Sequence, residues 1–262
     1  MWTGLPFGWH ALLSSSLNLK LISPREVIDA ALGRHATRPV PLASLEGFIR
    51  QILGWREFIR GMYWLDMPSM RDANHHRHDR ALPRWYWSAA THMNCMRACV
   101  GQTLEHGYAH HIQRLMVTGQ FALLAEVRPR EVADWYLAVY VDAVEWAELP
   151  NVAGMALHAQ GDRFVSKPYI ASGAYIDRMS NYCRGCRYEP SRRVDAVDAL
   201  GMERRACPVT TLYWHFIGRH RDALAGNPRT ALMVRNYDRI DEAEQKAIAL
   251  QAHAMLERID DL

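Results

Sequence analysis

The chain has 262 residues, 49% of them hydrophobic and 23% charged, with a formal net charge of +3. That composition is globular and excludes global disorder. No charge-free stretch of roughly 18 apolar residues exists to span a membrane, and five Cys in a chain of this length make no disulfide framework.

Most of the sequence reads as helix. Ser23-Pro24-Arg25-Glu26 is a capping box with Pro at the first helical position, opening a helix to about Gly33. Thr37 to Pro41 is a Pro-punctuated break. Ser44 is expected to cap a long amphipathic run in which Leu45, Phe48, Ile49, Ile52, Leu53, Phe58, Ile59 and Met62 recur at helical spacing. Asp66 to Pro83 lacks that periodicity, carries Asn74-His75-His76-Arg77-His78, and reads as a solvated connecting loop. His-rich tracts can bind metal, but solvation is the expectation here. Met93 to Gly119 is helical with breaks at Gly101 and Gly107. Pro129 opens a helix through Trp135, Tyr136, Tyr140 and Val144 that stops before Pro150. Residues 151–170 are loop-like, 171–182 form a short helix, and 183–209 form an Arg-rich loop bearing Cys. Thr210–Ala225, Arg229–Tyr237 and Asp241–Ile259 close the chain as helices. Strand signals are almost absent, so the fold class is all-α and the organisation a single domain over 1–262.

Met1–Ser16 shows no basic segment followed by an apolar one of the secretory kind. A cytoplasmic protein is therefore expected, with its Cys serving as ligands or core. Of the 31 basic residues only Lys20, Lys167 and Lys246 are lysine. Arginine suits bidentate recognition of phosphate and carboxylate, although codon usage would produce the same bias, and a charge of +3 does not by itself argue for nucleic acid.

Two constellations carry chemistry. Cys183-Arg184-Gly185-Cys186 can grip one metal centre from a tight turn. Cys207 follows, ahead of Pro208, as in iron–sulfur proteins. A fourth thiolate must come from Cys95 or Cys99 upstream, and ligand type alone leaves zinc and [4Fe–4S] both open. A redox dithiol would need a βαβ context that this chain lacks. The second constellation is Tyr108-Ala109-His110-His111-Ile112-Gln113-Arg114, followed by Trp135, Tyr136, Tyr140, Asp142, Glu145, Trp146 and Glu148. Acids set among aromatics must be paired or take a raised pKa.

These residues carry a resemblance. Phe48-Ile49-Arg50-Gln51-Ile52-Leu53-Gly54-Trp55-Arg56-Glu57-Phe58 resembles the Trp-Arg-Glu-Phe signature of the photolyase/cryptochrome flavin domain. His110-His111-Ile112-Gln113-Arg114-Leu115-Met116 is similar to the His-His helix of the (6-4) branch. The run from Trp135 to Asn151 resembles the prokaryotic iron–sulfur group, the deoxyribodipyrimidine photolyase-related proteins. The resemblance spans nearly the whole chain. It implies the all-α FAD domain of that family without its N-terminal α/β antenna domain, with Met1 falling inside the flavin domain.

The resemblance also implies roles. His110 and His111 would sit beside a flipped-out lesion, at least one donating a proton, with Tyr169 at the lesion mouth. Glu148 would face the flavin N5. Arg114 and Asp142 would flank the isoalloxazine, Leu13 and Ser14 would hold the FAD phosphates, and Gln51, Trp55 and Arg56 would line the cofactor or lesion side. Trp87, Trp135 and Tyr136 would pass electrons to the flavin from the surface. Cys95, Cys183, Cys186 and Cys207 would hold a [4Fe–4S] cluster, with zinc as the alternative, leaving Cys99 as a core thiol. The function implied is light-driven repair of pyrimidine lesions in UV-damaged DNA, of the (6-4) type, by a monomeric lyase without a membrane partner. The competing readings are a cryptochrome-like blue-light sensor and a metal-stapled helical nucleic-acid-binding module without flavin.

Overall fold

The structure, a computed structural model describing residues 1–262, is helical almost throughout. One antiparallel pair, β1 (Ala196–Val197) with β2 (Glu203–Arg204), is its only sheet. After a short α1 (Ser14–Asn18), α2 (Pro24–Thr37) starts where the capping box predicts. The Ser23 hydroxyl accepts the Glu26 N–H at 3.2 Å, and the Glu26 carboxylate accepts the Ser23 N–H at 2.6 Å. The helix runs past Gly33 to Thr37, since a single interior glycine costs a helix only about 1 kcal/mol. α3 (Leu42–Arg50), a π-helical turn over Gln51–Arg56 and α4 (Glu57–Asp66) follow as the predicted amphipathic run. Ser44 is not the cap: the helix begins two positions earlier, with Pro41 at its N-terminus and no side-chain cap.

α5 (Asn94–His106) passes straight through Gly101 and ends at Gly107, whose φ of +59° is the left-handed stop favoured by glycine. A Cβ there would also stand 2.6 Å from Val141 Cγ1. α6 (His111–Gln113), a second π turn over Arg114–Gly119 and α7 (Gln120–Leu124) form one continuous element. α8 (Pro129–Val139) ends earlier than expected. α9 (Glu145–Leu149) then continues through Pro150 into a third π turn, Pro150–Ala156, where the sequence reads as loop. Pro150 lies in the second turn of this helical segment and can donate no N–H there, and it stands where the pattern changes from α to π. α10 (Gly173–Met179), α11 (Pro208–Arg219), α12 (Arg221–Ala225), α13 (Ala231–Tyr237) and α14 (Glu242–Glu257) complete the chain.

α11 packs on α14, α13 and α7, and α8 on α9 and the third π turn. Trp85, Tyr86, Phe121, Trp135 and Phe216 are fully enclosed between these layers. Each such side chain contributes roughly 1.5–3 kcal/mol by leaving water. No helix is long and apolar enough to cross a membrane.

The Asp66–Pro83 segment departs most from expectation. Asp66 is buried and accepts the Arg163 and Gln160 side chains. His78 is buried and His76 half-buried, packed against Phe216 and His220. The tract is thus folded onto α11 instead of being solvated. Burial pushes the His76 ring down to about 2, reinforced by the neighbouring rings of His220, His78 and His158. Burial likewise lowers His78 and His220 to about 4, each against a partial offset from Glu126.

The consequence for acid stability has a definite sign. Above the ordinary imidazole value of 6.5 these rings are neutral whether folded or not. As pH falls from 6.5 toward 4 the unfolded chain takes up protons that the folded rings refuse, so stability drops across that window. Thermal melts over this range should show a falling midpoint, with a shallower slope in the His78→Gln/His220→Gln protein. Equal slopes for the two proteins would contradict the assignment.

Candidate cofactor and active site

All three π turns face one cavity of about 710 Å³. Its wall takes Gln51 and Trp55 from the first, Arg114 and Leu115 from the second, and Asn151, Val152, Met155 and Ala156 from the third. A π turn widens the helix by one residue, frees backbone carbonyls and re-aims side chains, which is why such turns collect at sites. The Arg114 carbonyl at the head of the second turn, for example, accepts the Tyr136 hydroxyl at 2.6 Å. The close approach behind it depends on Gly119, where a Cβ would stand 2.9 Å from the Cβ of Ala156. The volume lies in the range of small-molecule and cofactor sites.

The floor carries a buried ion pair. Arg114 binds Asp142 with both terminal nitrogens, at 2.9 and 3.2 Å, and its Nε donates to the Ala109 carbonyl at 2.6 Å. Its guanidinium lies 3.8 Å over the Tyr140 ring. Asn18 donates to the Asp142 carbonyl at 2.6 Å and accepts from Arg56 at 2.8 Å, which binds α1 to the same floor. Glu148 also lines the cavity. Burial pushes its carboxyl up to about 7, against the pull of Arg114, and no hydrogen bond from the protein offsets that burial. The Asn151 Oδ1 is likewise buried without a partner, its amide nitrogen being held by the Ala147 carbonyl. Two unmet polar groups in one apolar-walled cavity suit an occupant with matching donors.

His110 and His111 lie on the same wall. His110 caps α6, its Nδ1 accepting the Gln113 N–H, and its ring stacks on His10 at 4.7 Å. An accepting Nδ1 leaves the proton of the neutral ring on Nε2. Burial lowers His110 to about 4, and burial followed by Arg114 lowers His111, so both rings are uncharged at neutral pH. Tyr169 completes the lining.

A string of rings ends on the wall at Tyr136. Trp85 stacks on Tyr86 at 4.6 Å, Tyr86 meets Trp135 at 5.0 Å, and Trp135 meets Tyr136 at 5.2 Å. The Trp135 Nε1 donates to the Tyr86 carbonyl, which fixes that crossing. Trp87 lies at the surface, 56% exposed, outside this string. Trp85 and Tyr86, which the sequence did not single out, link Trp135 to the interior.

The late cysteines converge from three segments. Burial raises the Cys95 thiol, and Cys207, Cys183 and Cys186 all lie near enough to raise it further. Burial followed by Cys207 pushes Cys183 up to about 12. Gly173 holds the space beside Cys207, since a Cβ there would stand 2.7 Å from its Sγ. Cys99 faces Tyr182 and Gln113 instead. As they stand, no three His, Cys, Asp or Glu side chains close round a point that one metal ion could occupy.

Of the residues singled out for the pocket, Ser14, Gln51, Trp55, His110, His111, Arg114, Asp142, Glu148 and Tyr169 share the cavity. Two do not. Leu13 precedes α1 and leaves the wall to Ser14. Arg56 turns away to Asn18, the Leu17 carbonyl and the Trp146 ring, so it braces α1 from behind. Asn151 and His10 line the site and were missed, as was Asn18, which braces its floor from behind. Asn151 sat in view after Glu148-Leu149-Pro150, but the proline hid its helical placement.

Glu148 should hold its proton up to neutral pH. Infrared spectra should carry a protonated-carboxyl band that fades with a midpoint near 7 and is missing from Glu148→Gln. A carboxyl already ionised at pH 6 would show that the side chain is solvated.

No protein-family model matches the chain. A (6-4) photolyase of Agrobacterium fabrum is 47% identical over 251 residues, 96% of this chain and 48% of that protein. Two uncharacterized proteins of Acanthamoeba polyphaga mimivirus match shorter stretches, at 33% over 66 residues and 37% over 59. These cover 25% and 22% of this chain, and 54% and 45% of the viral proteins. The chain thus spans about half the length of the curated relatives it matches. Along nearly its whole length, and with an almost entirely helical fold around one large cavity, the chain is similar to about half of a (6-4) photolyase.

Proposed function

We propose that the chain forms the flavin-holding core of a light-driven DNA repair enzyme acting on pyrimidine lesions of the (6-4) type. The observation that carries this reading is a single cavity gathering a buried ion pair, an unpaired carboxyl and two neutral imidazoles, with a string of rings ending on its wall. FAD, when bound and reduced, would supply a light-driven electron donor there. The residues present fit it. Arg114 and Asp142 would flank the ring system, Glu148 and the Asn151 Oδ1 would meet its polar edge, and Ser14 with its neighbouring backbone would take the phosphates.

The chain's own groups then have separate tasks. Burial keeps Glu148 protonated near neutral pH, so it can donate a hydrogen bond where an ionised carboxylate could only accept. His110 presents an Nε2–H to the cavity, and His111 lies beside it. A positioned proton donor of this kind contributes roughly 10²–10⁴-fold to a reaction that needs one. Tyr169 offers a face for stacking an extruded base, and extrusion costs least where a base is already damaged. The ring string Trp85–Tyr86–Trp135–Tyr136 gives electrons a continuous path to the cavity wall. Trp87 stands at the surface and makes no ring contact with that string.

We assign Cys95, Cys183, Cys186 and Cys207 to a [4Fe–4S] cluster. The nearness of Cys207, Cys183 and Cys186 to the buried Cys95 supports one shared centre for the four thiolates. Cys207→Ser should lose cluster iron and lower the thermal midpoint, because ligand loss frees the 183–209 loop. Unchanged iron and melting would exclude Cys207 as a ligand.

The function is tested by an absorption spectrum of the purified chain followed by blue-light repair of an oligonucleotide carrying one (6-4) lesion. A flavin spectrum with repair is expected, together with a loss of at least about 100-fold in His111→Ala that leaves flavin content intact. Flavin without repair would move the reading to a light sensor, and protein that takes up no FAD would overturn it.

A further inference from the structure

Away from the cavity, His75, His76, His78, His158 and His220 gather where the 73–83 segment meets the end of α11 and the turn after the third π segment. None of them lines the cavity. His76 is the hub. Its ring centroid lies 4.7 Å from that of His220, 5.4 Å from His78 and 5.5 Å from His158. His78 and His220 are 6.3 Å apart. The Nε2 atoms of His76, His78 and His220 are buried with no hydrogen-bond partner, and the Nδ1 of His158 is in the same position. Leaving a buried polar group unmet costs about 1–3 kcal/mol, so several in one place call for a shared partner.

The spacing identifies that partner. Imidazoles bound through nitrogen at about 2.0–2.1 Å to one tetrahedral ion hold their ring centroids about 5 Å apart. The three separations among His76, His78 and His220 bracket that value. We propose that His76, His78 and His220 form a binding site for a borderline transition-metal ion such as Zn²⁺, with His158 as the nearest further ligand. The nitrogens do not yet point to one ion-sized position; the His78 and His220 rings, 6.3 Å apart, stand wider than that spacing and must draw together by roughly 1 Å as the side chains rotate their lone pairs inward.

The surroundings suit a cation of this class. An imidazole binds such an ion through the lone pair of its unprotonated ring nitrogen, and each of these three rings has a buried nitrogen with no other partner. Imidazole donors select zinc, copper and nickel over magnesium or calcium. The Asp162 carboxylate stands 3.4 Å from the His158 Nε2, where it can orient that ring. The Glu126 carboxylate faces His78 and His220 from the turn after α7, and the cations near it, Arg219 on α11 and Arg80, are paired to it. The ion would staple a segment with little regular structure to the end of α11.

Cobalt is the probe, added as Co²⁺ to the full chain, with His76→Gln/His220→Gln and Cys183→Ser as comparison proteins. The wild type and Cys183→Ser should both develop visible cobalt bands free of thiolate charge transfer, with the affinity weakened at least tenfold in the double His variant. Equal uptake by the wild type and a folded His variant would overturn the site and leave its nitrogens to water. Should that variant misfold, X-ray absorption of the cobalt-loaded wild type decides. Imidazole scattering from three or more rings supports the proposal, and a shell of sulfur or water oxygen alone refutes it.

Discussion

A guanidinium and a carboxylate that have both left water set the geometry of the cavity. Arg114 and Asp142 come from the second π turn and from the break after α8, and their two-point contact fixes those segments against each other. A buried pair of this kind persists only when every remaining donor and acceptor is also met. Here the Ala109 carbonyl takes the third guanidinium nitrogen, the Tyr140 ring takes its face, and Asn18 with Arg56 ties the N-terminal α1 to the Asp142 backbone. Removing either charge would strand the other, at roughly 3–5 kcal/mol. The same field bears on Glu148, whose proton is retained because burial outweighs the pull of Arg114.

Around that floor the protein departs from regular helix in three places, and all three face the cavity. Each departure exchanges ideal backbone hydrogen bonding for an altered side-chain direction. The cost is offset locally, as where the Tyr136 and Thr118 hydroxyls both donate to the Arg114 carbonyl. Regular helices elsewhere, packed through Trp85, Phe121, Trp135 and Phe216, hold these irregular turns in register. The ring string passes through that packed layer, so one set of buried aromatics both supports the fold and links its interior to the cavity.

Two clusters join distant parts of the chain. Cys95 meets the late cysteines across the α5–α11 side, and His76 meets His220 across the loop that follows α4. Both place side chains with lone pairs in surroundings that penalise charge. Both therefore do for irregular segments what an apolar stripe does for a helix.

The sequence by itself determined the helical class, the capping box at Ser23, the stop at Gly107, and nine of the pocket residues through a resemblance carried by local motifs. These are legible because helix period and capping depend on neighbours within a few positions. It misread Pro150–Ala156 as loop, since proline and glycine mark breaks only on average, and packing of α8 against this turn overrode them. It read His76 and His78 as solvated because their segment has little apolar periodicity; Phe216 and His220, which bury them, arrive from α11 and its C-terminal end. Arg56 was placed on the wall and braces α1 instead, because helical spacing gives a face but not which neighbour claims it. The tertiary structure alone decided convergence: which carboxyl lost its water, which imidazoles came within reach of one ion, and which cysteine of α5 faced the others. Each of these depends on the path of the whole chain, and no local pattern encodes it.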